Sequence, residues 1–140
     1  MSLITPTIIE PKTSQMFVFR NATDTTPTAQ LLICTGIANF FFQSNGNNST
    51  GAEVNFAIPN LTVADGQVLE TTAMVAFSNL GNSFLQGTPP PIALSWSIDS
   101  VQASQNGSQV VVDASITVFG TGTVIVGLAY HVTVLLRTTP

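Results

Sequence analysis

Gly122 to Leu136 reads GTVIVGLAYHVTVLL, a run with no Asp, Glu, Lys or Arg in which apolar side chains recur at every second position. On a strand, Val124, Val126, Leu128, Tyr130, Val132 and Val134 share one face, and Thr123, Ile125, Gly127, Ala129, His131 and Thr133 share the other, because successive side chains alternate. A period of two held for so long predicts a β-strand over 123–137. Its second face is half apolar, so the strand asks for cover on both sides.

The same pattern spreads outward. Val110, Val112, Ala114, Ile116 and Val118 alternate in the preceding stretch. Joining the two through Gly120, Thr121 and Gly122 predicts a hairpin that pairs Phe119 with Thr123 and puts Gly122 at positive φ. One strand earlier, Leu94, Trp96 and Ile98 alternate, but Val101 and Ala103 follow one position out of step. With a turn at Asn106-Gly107, that phase change predicts a bulge at Asp99 or Ser100, which turns Trp96 to the core opposite Ile116. Further strands are expected over 15–20, 29–43, 53–58 and 67–79, with 92–103 and 108–119 completing the set. Clusters of Gly, Pro, Asn and Ser separate them, and no long stretch has helical spacing. The chain is therefore read as all-β: one domain over 1–140, an antiparallel β-sandwich or jelly roll of about seven to eight strands, with 1–14 as an extended N-terminal arm.

Composition narrows the partners. Only three basic residues, Lys12, Arg20 and Arg137, stand against seven acids, and charged residues make up 7% of the chain. About 25% is usual for globular proteins. Phosphate binding needs clustered cations, so neither a nucleic-acid nor an anionic membrane partner is expected. Ser, Thr, Asn and Gln hydrate the surface instead, and neutral polar groups cost less to bring into contact than ions do. No apolar run approaches the roughly 20 residues of a membrane span. The start, MSLITPTIIEPK, lacks the pattern of a signal peptide, so a cytoplasmic protein or the mature form of a surface or particle protein is expected. Asn21, Asn47, Asn48, Asn60 and Asn106 each open an Asn-x-Ser/Thr triplet, which chance explains in a chain this rich in Ser and Thr. The single cysteine, Cys34, reads as a small buried hydrophobe within LLICTGIA.

Groups able to do chemistry are few. In the predicted hairpin the single histidine, His131, stands diagonal to Asp113, with Ser115 two residues further along that face. A flat sheet face supplies neither an oxyanion hole nor a pocket, so these residues are not read as catalytic, and the chain is expected not to be an enzyme. Asp99 and Asp113 form a conceivable carboxylate pair across the bulge, without a cleft around them. Neither the acid spacing of a calcium loop nor a set of Cys and His for zinc is present, and no metal or cofactor is expected.

Two surfaces remain. Asn39 to Gly51 reads NFFFQSNGNNSTG, in which Phe41 points away from Phe40 and Phe42 and leads into a loop of amides and hydroxyls. An aromatic ring beside amides suits a sugar, so Phe41, Asn45, Asn47, Asn48 and Thr50 form a candidate carbohydrate site. The second face of 123–137 is the other surface, with Ile125, Ala129, His131 and Leu135 as candidate interface residues. That strand also lacks the lysines and prolines with which edge strands usually discourage pairing. The leading expectation is a non-enzymatic structural or surface protein that acts as a homo-oligomer, and the alternative is a lectin-like module.

Overall fold

A computed structural model describes residues 2–23, 25–46, 48–82 and 94–138 of the chain. Among these residues the protein is all-β, with β1 (Ser2–Ile4), β2 (Thr7–Val18), β3 (Ala29–Gln43), β4 (Thr50–Ala57), β5 (Val68–Asn82), β6 (Ser95–Asn106), β7 (Gln109–Phe119) and β8 (Thr123–Arg137). Two four-stranded sheets form a sandwich: sheet A in the order β1-β4-β7-β6 and sheet B in the order β2-β3-β8-β5. Every neighbouring pair is antiparallel except β1 with β4.

The strands that alternate cleanly in sequence build the core. Val54 and Phe56 of β4 and Val110, Val112, Ala114, Ile116 and Val118 of β7 face Leu32, Cys34 and Ala38 of β3 and Leu128, Tyr130, Val132, Val134 and Leu136 of β8. The Phe56 and Tyr130 rings meet across the sandwich with centroids 5.0 Å apart. Two side-chain hydrogen bonds tie the sheets together near β6: Trp96 Nε1 donates to the Val124 carbonyl at 2.9 Å, and Thr71 Oγ1 donates to the Ala103 carbonyl at 2.7 Å.

Several expectations change here. Residues 2–14, expected as an arm, are extended but paired: β1 lies along β4, and β2 lies along β3. The strand expected over 92–103 begins at Ser95, and positions 92 and 93 lie outside the described residues. The 119–123 hairpin does not form. Gly122 has the expected positive φ of 74°, and Gly120 has 103°, but the turn carries the chain from sheet A to sheet B. Alternation cannot separate these outcomes, because both arrangements put the two apolar sets into one core. In consequence β8 is a central strand between β3 and β5, not an unprotected edge.

The β6–β7 hairpin keeps its bulge and shifts its register. The ladder slips between Ile98 and Ser100, at Asp99, as expected. The loop is Gly107–Ser108 and not Asn106–Gly107, so Ile98 stands opposite Ile116 and Trp96 opposite Val118. Gly107 has φ 62°, and a glycine at the first position of a two-residue loop suits the type II′ turn. Near the edge of sheet A, Trp96 is half-buried.

Candidate functional site

The two outer faces of the sandwich differ in chemistry. On sheet A, Asn55, Asp113 and Gln102 share one cross-strand row, and Glu53, Ser115 and Ser100 the next. Asn55 Nδ2 donates to the Asp113 carboxylate, while Asp99 accepts from Ser97 Oγ at 2.9 Å and from Thr117 Oγ1 at 2.5 Å. The two carboxylates are therefore held by separate partners on separate rows, and the candidate Asp99–Asp113 pair does not form.

The outer face of sheet B is mixed, with apolar side chains interleaved among polar ones. The register aligns Met16, Leu31, Leu135 and Glu70 in one row across β2, β3, β8 and β5. Ser14, Ile33, Thr133 and Thr72 form the next, then Lys12, Thr35, His131 and Met74, then Ile9, Ile37, Ala129 and Ala76. Met74 is 65%, Met16 53% and Ile9 39% exposed, so the rims of this face are open. Ionic groups are confined to β2, β5 and the Arg137 end.

Three of the four predicted interface residues lie on this face: Ala129, His131 and Leu135. Ile125 does not. It is wholly buried in the core, as is Leu128 three residues on, so the inward phase of β8 breaks between them. The break falls where β3 slips register between Asn39 and Phe42 and β5 slips on either side of Asn79. Gly127 marks the spot, since a Cβ there would lie 2.7 Å from Ser78 Oγ and 3.1 Å from the Ala38 carbonyl oxygen. His131 is exposed between Thr35 and Met74, on the opposite face of the sandwich from Asp113 and Ser115, so the expected placement of His131 diagonal to Asp113 does not occur.

The sequence reading missed Leu31, Ile33 and Ile37 of β3, Met16 and Ile9 of β2 and Met74 of β5. A signal was present for β3: LLICTGIA is apolar at both parities, the mark of a strand with two non-aqueous faces.

The candidate carbohydrate residues are partly separated. Phe41 is 67% exposed on β3. Asn45, Asn48 and Thr50 instead line a shallow polar depression of about 560 Å³ with Ser2, Ser49 and Gly51. Asn47 lies outside the described residues. The Thr50 hydroxyl is already engaged within the loop, accepting from Asn45 N at 2.8 Å, and buried Ser44 anchors the loop base through its hydroxyl to the Gly120 carbonyl at 2.5 Å.

Among the described residues no group of three or more His, Cys, Asp or Glu is placed to hold a metal ion, and no helix is long and apolar enough to cross a membrane. Burial pushes the Cys34 thiol above its ordinary pKa, a shift partly opposed by the Thr13 hydroxyl, which donates to Sγ at 3.9 Å. Burial also raises the Tyr130 phenol, and the nearby Cys34 adds to that shift. Comparison with protein-family models, with curated proteins and with solved structures finds no match to this chain.

Proposed function

We propose that the protein is a non-enzymatic contact protein that assembles with copies of itself through the outer face of sheet B. The observation that supports this reading is a difference of degree between the outer faces: the Asn55 and Glu53 rows of sheet A are polar throughout, whereas the rows of sheet B carry Leu31, Ile33, Ile37, Leu135, Met16 and Met74 among their polar residues. An antiparallel sheet with one solvated face ordinarily carries polar residues on that face. Four strands about 4.8 Å apart and some 12 residues long present roughly 800 Å² per face, about what each partner contributes to a standard protein interface. The low charge acts in the same direction, since few ions need to be stripped of water on contact. Sedimentation velocity tests this reading. Wild type is expected to be heavier than a monomer at micromolar concentration. Met74→Lys on sheet B should weaken the assembly, and Gln102→Lys on sheet A should not. A wild-type monomer under those conditions overturns the proposal.

A second reading, a carbohydrate-binding module, is favoured by the polar depression at Asn45, Asn48 and Thr50 with exposed Phe41 on the strand that leads into its loop. A glycan array distinguishes it, because a signal lost in both Phe41→Ala and Asn48→Ala variants belongs to a lectin and not to a purely structural protein.

A further inference from the structure

We infer that sheet B also continues from one copy of the protein into the next, with β2 of one molecule pairing antiparallel against β5 of its neighbour in an open, head-to-tail series. This rests on the reading that the protein assembles with its own copies, and it names a second contact surface, the sheet's edges, beside the face already described.

The edges are suited to each other in direction. Along sheet B each strand runs antiparallel to the next, so β2 and β5, at the two ends of the order, run in opposite directions. A second copy displaced along the sheet without turning over therefore lays its β5 antiparallel to β2, and the alternation continues without a break. Both are long: β2 spans 12 residues and β5 spans 15. Among the described residues neither strand has a neighbour on its outer side, so each presents there the N–H and C=O groups that invite another strand.

Charge selects the partner and the register. Lys12 is the lysine of the chain, and it lies on the outer face of β2 in the row of Thr35, His131 and Met74. Glu70 is the acid of β5, and it lies on the same face in the row of Leu135, Leu31 and Met16. Within one molecule they are separated by three strand spacings and a four-residue offset along the strands, about 20 Å by sheet geometry, beyond the reach of an ion pair. Across a β5–β2 junction they come onto neighbouring strands and the same face. Setting Lys12 opposite Glu70 puts Ile9 opposite Thr72 and Thr7 opposite Met74, once the extra residue between Ile9 and Lys12 is allowed for.

That extra residue matters for selectivity. The irregularity contains Glu10, at φ 52°, and Pro11, which has no N–H to offer. It divides the free edge into Thr7–Ile9 and a segment beginning at Lys12, with the cation at the break. A strand in a different register leaves Lys12 beside a neutral residue. The repeat is heterologous, one edge against a different edge, so growth is open-ended unless the rotation per copy closes a ring.

Charge reversal tests the junction in the full chain. Lys12→Glu and Glu70→Lys are each expected to lower the weight-average mass at a concentration where wild type forms series longer than two, because each sets like charges against one another at every junction. An equimolar mixture of the two variants, and the Lys12→Glu/Glu70→Lys double variant, should both restore it, which a folding defect in either single variant would not permit. If wild type assembles and neither single reversal changes its mass, or if wild type stops at a closed dimer, the edge junction is overturned while face-to-face assembly stands. If wild type is a monomer, both fall.

Discussion

Gly36 of β3 and Tyr130 of β8 stand directly opposite in the sheet B ladder, and the tyrosine ring folds over the glycine so closely that a Cβ at position 36 would lie 2.7 Å from Cζ and 2.8 Å from Cε1. The glycine leaves the space in which the ring lies flat enough to reach Phe56 of sheet A. Gly36→Ala is therefore expected to destabilise the fold by about 1–3 kcal/mol, the usual range for overpacking, as read from the urea midpoint. Tyr130→Phe should not fully relieve it: the phenol oxygen, the atom nearest to that Cβ, is removed, but Cζ and Cε1 remain. Tyr130→Val should, making the double variant's loss smaller than the sum of the singles.

Trp96 is half-buried, yet its indole bridges the sheets through Val124. Trp96→Ala should cost about 3 kcal/mol, at the low end for a large aromatic because part of the ring already meets water. Trp96→Phe keeps most of the packing and loses the hydrogen bond, so a cost of roughly 1 kcal/mol is expected. Equal losses in the two variants would show that the hydrogen bond, and not the packing, carries the tryptophan's contribution.

Alkaline pH should weaken the fold through Cys34. Its thiol is pushed up in the folded state, chiefly by burial. Above roughly pH 8 the unfolded chain begins to lose that proton while the folded chain keeps it, so the unfolded state is favoured. This contribution is fully present below the unfolded thiol's pKa and disappears as pH rises through the interval up to the folded value. Tyr130 adds a similar loss at higher pH. Thermal melts should show Tm falling from pH 7 to pH 10, less steeply in Cys34→Ala, and the native thiol should react slowly with a disulfide reagent until the protein unfolds.

Much of the fold was legible because alternation reports the inward face of each strand. The bounds of β3 and β8 and the bulge at Asp99 follow from it. What alternation does not carry is which sheet a strand joins. Val110 to Val118 and Leu128 to Leu136 point into one core whether they lie side by side or face to face, so the glycine turn between them could be read as a hairpin. That error moved His131 next to Asp113 and made β8 an edge. Ile125 was misplaced for another reason: the break at Gly127 depends on slips in β3 and β5, neither of which is local to β8. Met16, Met74 and Glu70 could not be grouped with Leu135 without knowing the order of the strands.

The central place of β8 also bears on how the chain folds. Ala29 pairs with Arg137, and β5 likewise waits for β8 before it gains a neighbour in sheet B. Loops this long must close before the pairing rewards them, which places the protein among slow, high-contact-order folders. On the ribosome, β2 and β3 emerge early and remain a lone two-stranded ribbon, marginal by itself, until residue 137 has cleared the exit tunnel. During that interval the apolar rows of β3 are open on both sides. A nascent chain stalled before β8 should therefore be bound by chaperones and cut readily by protease, whereas the released chain should resist both.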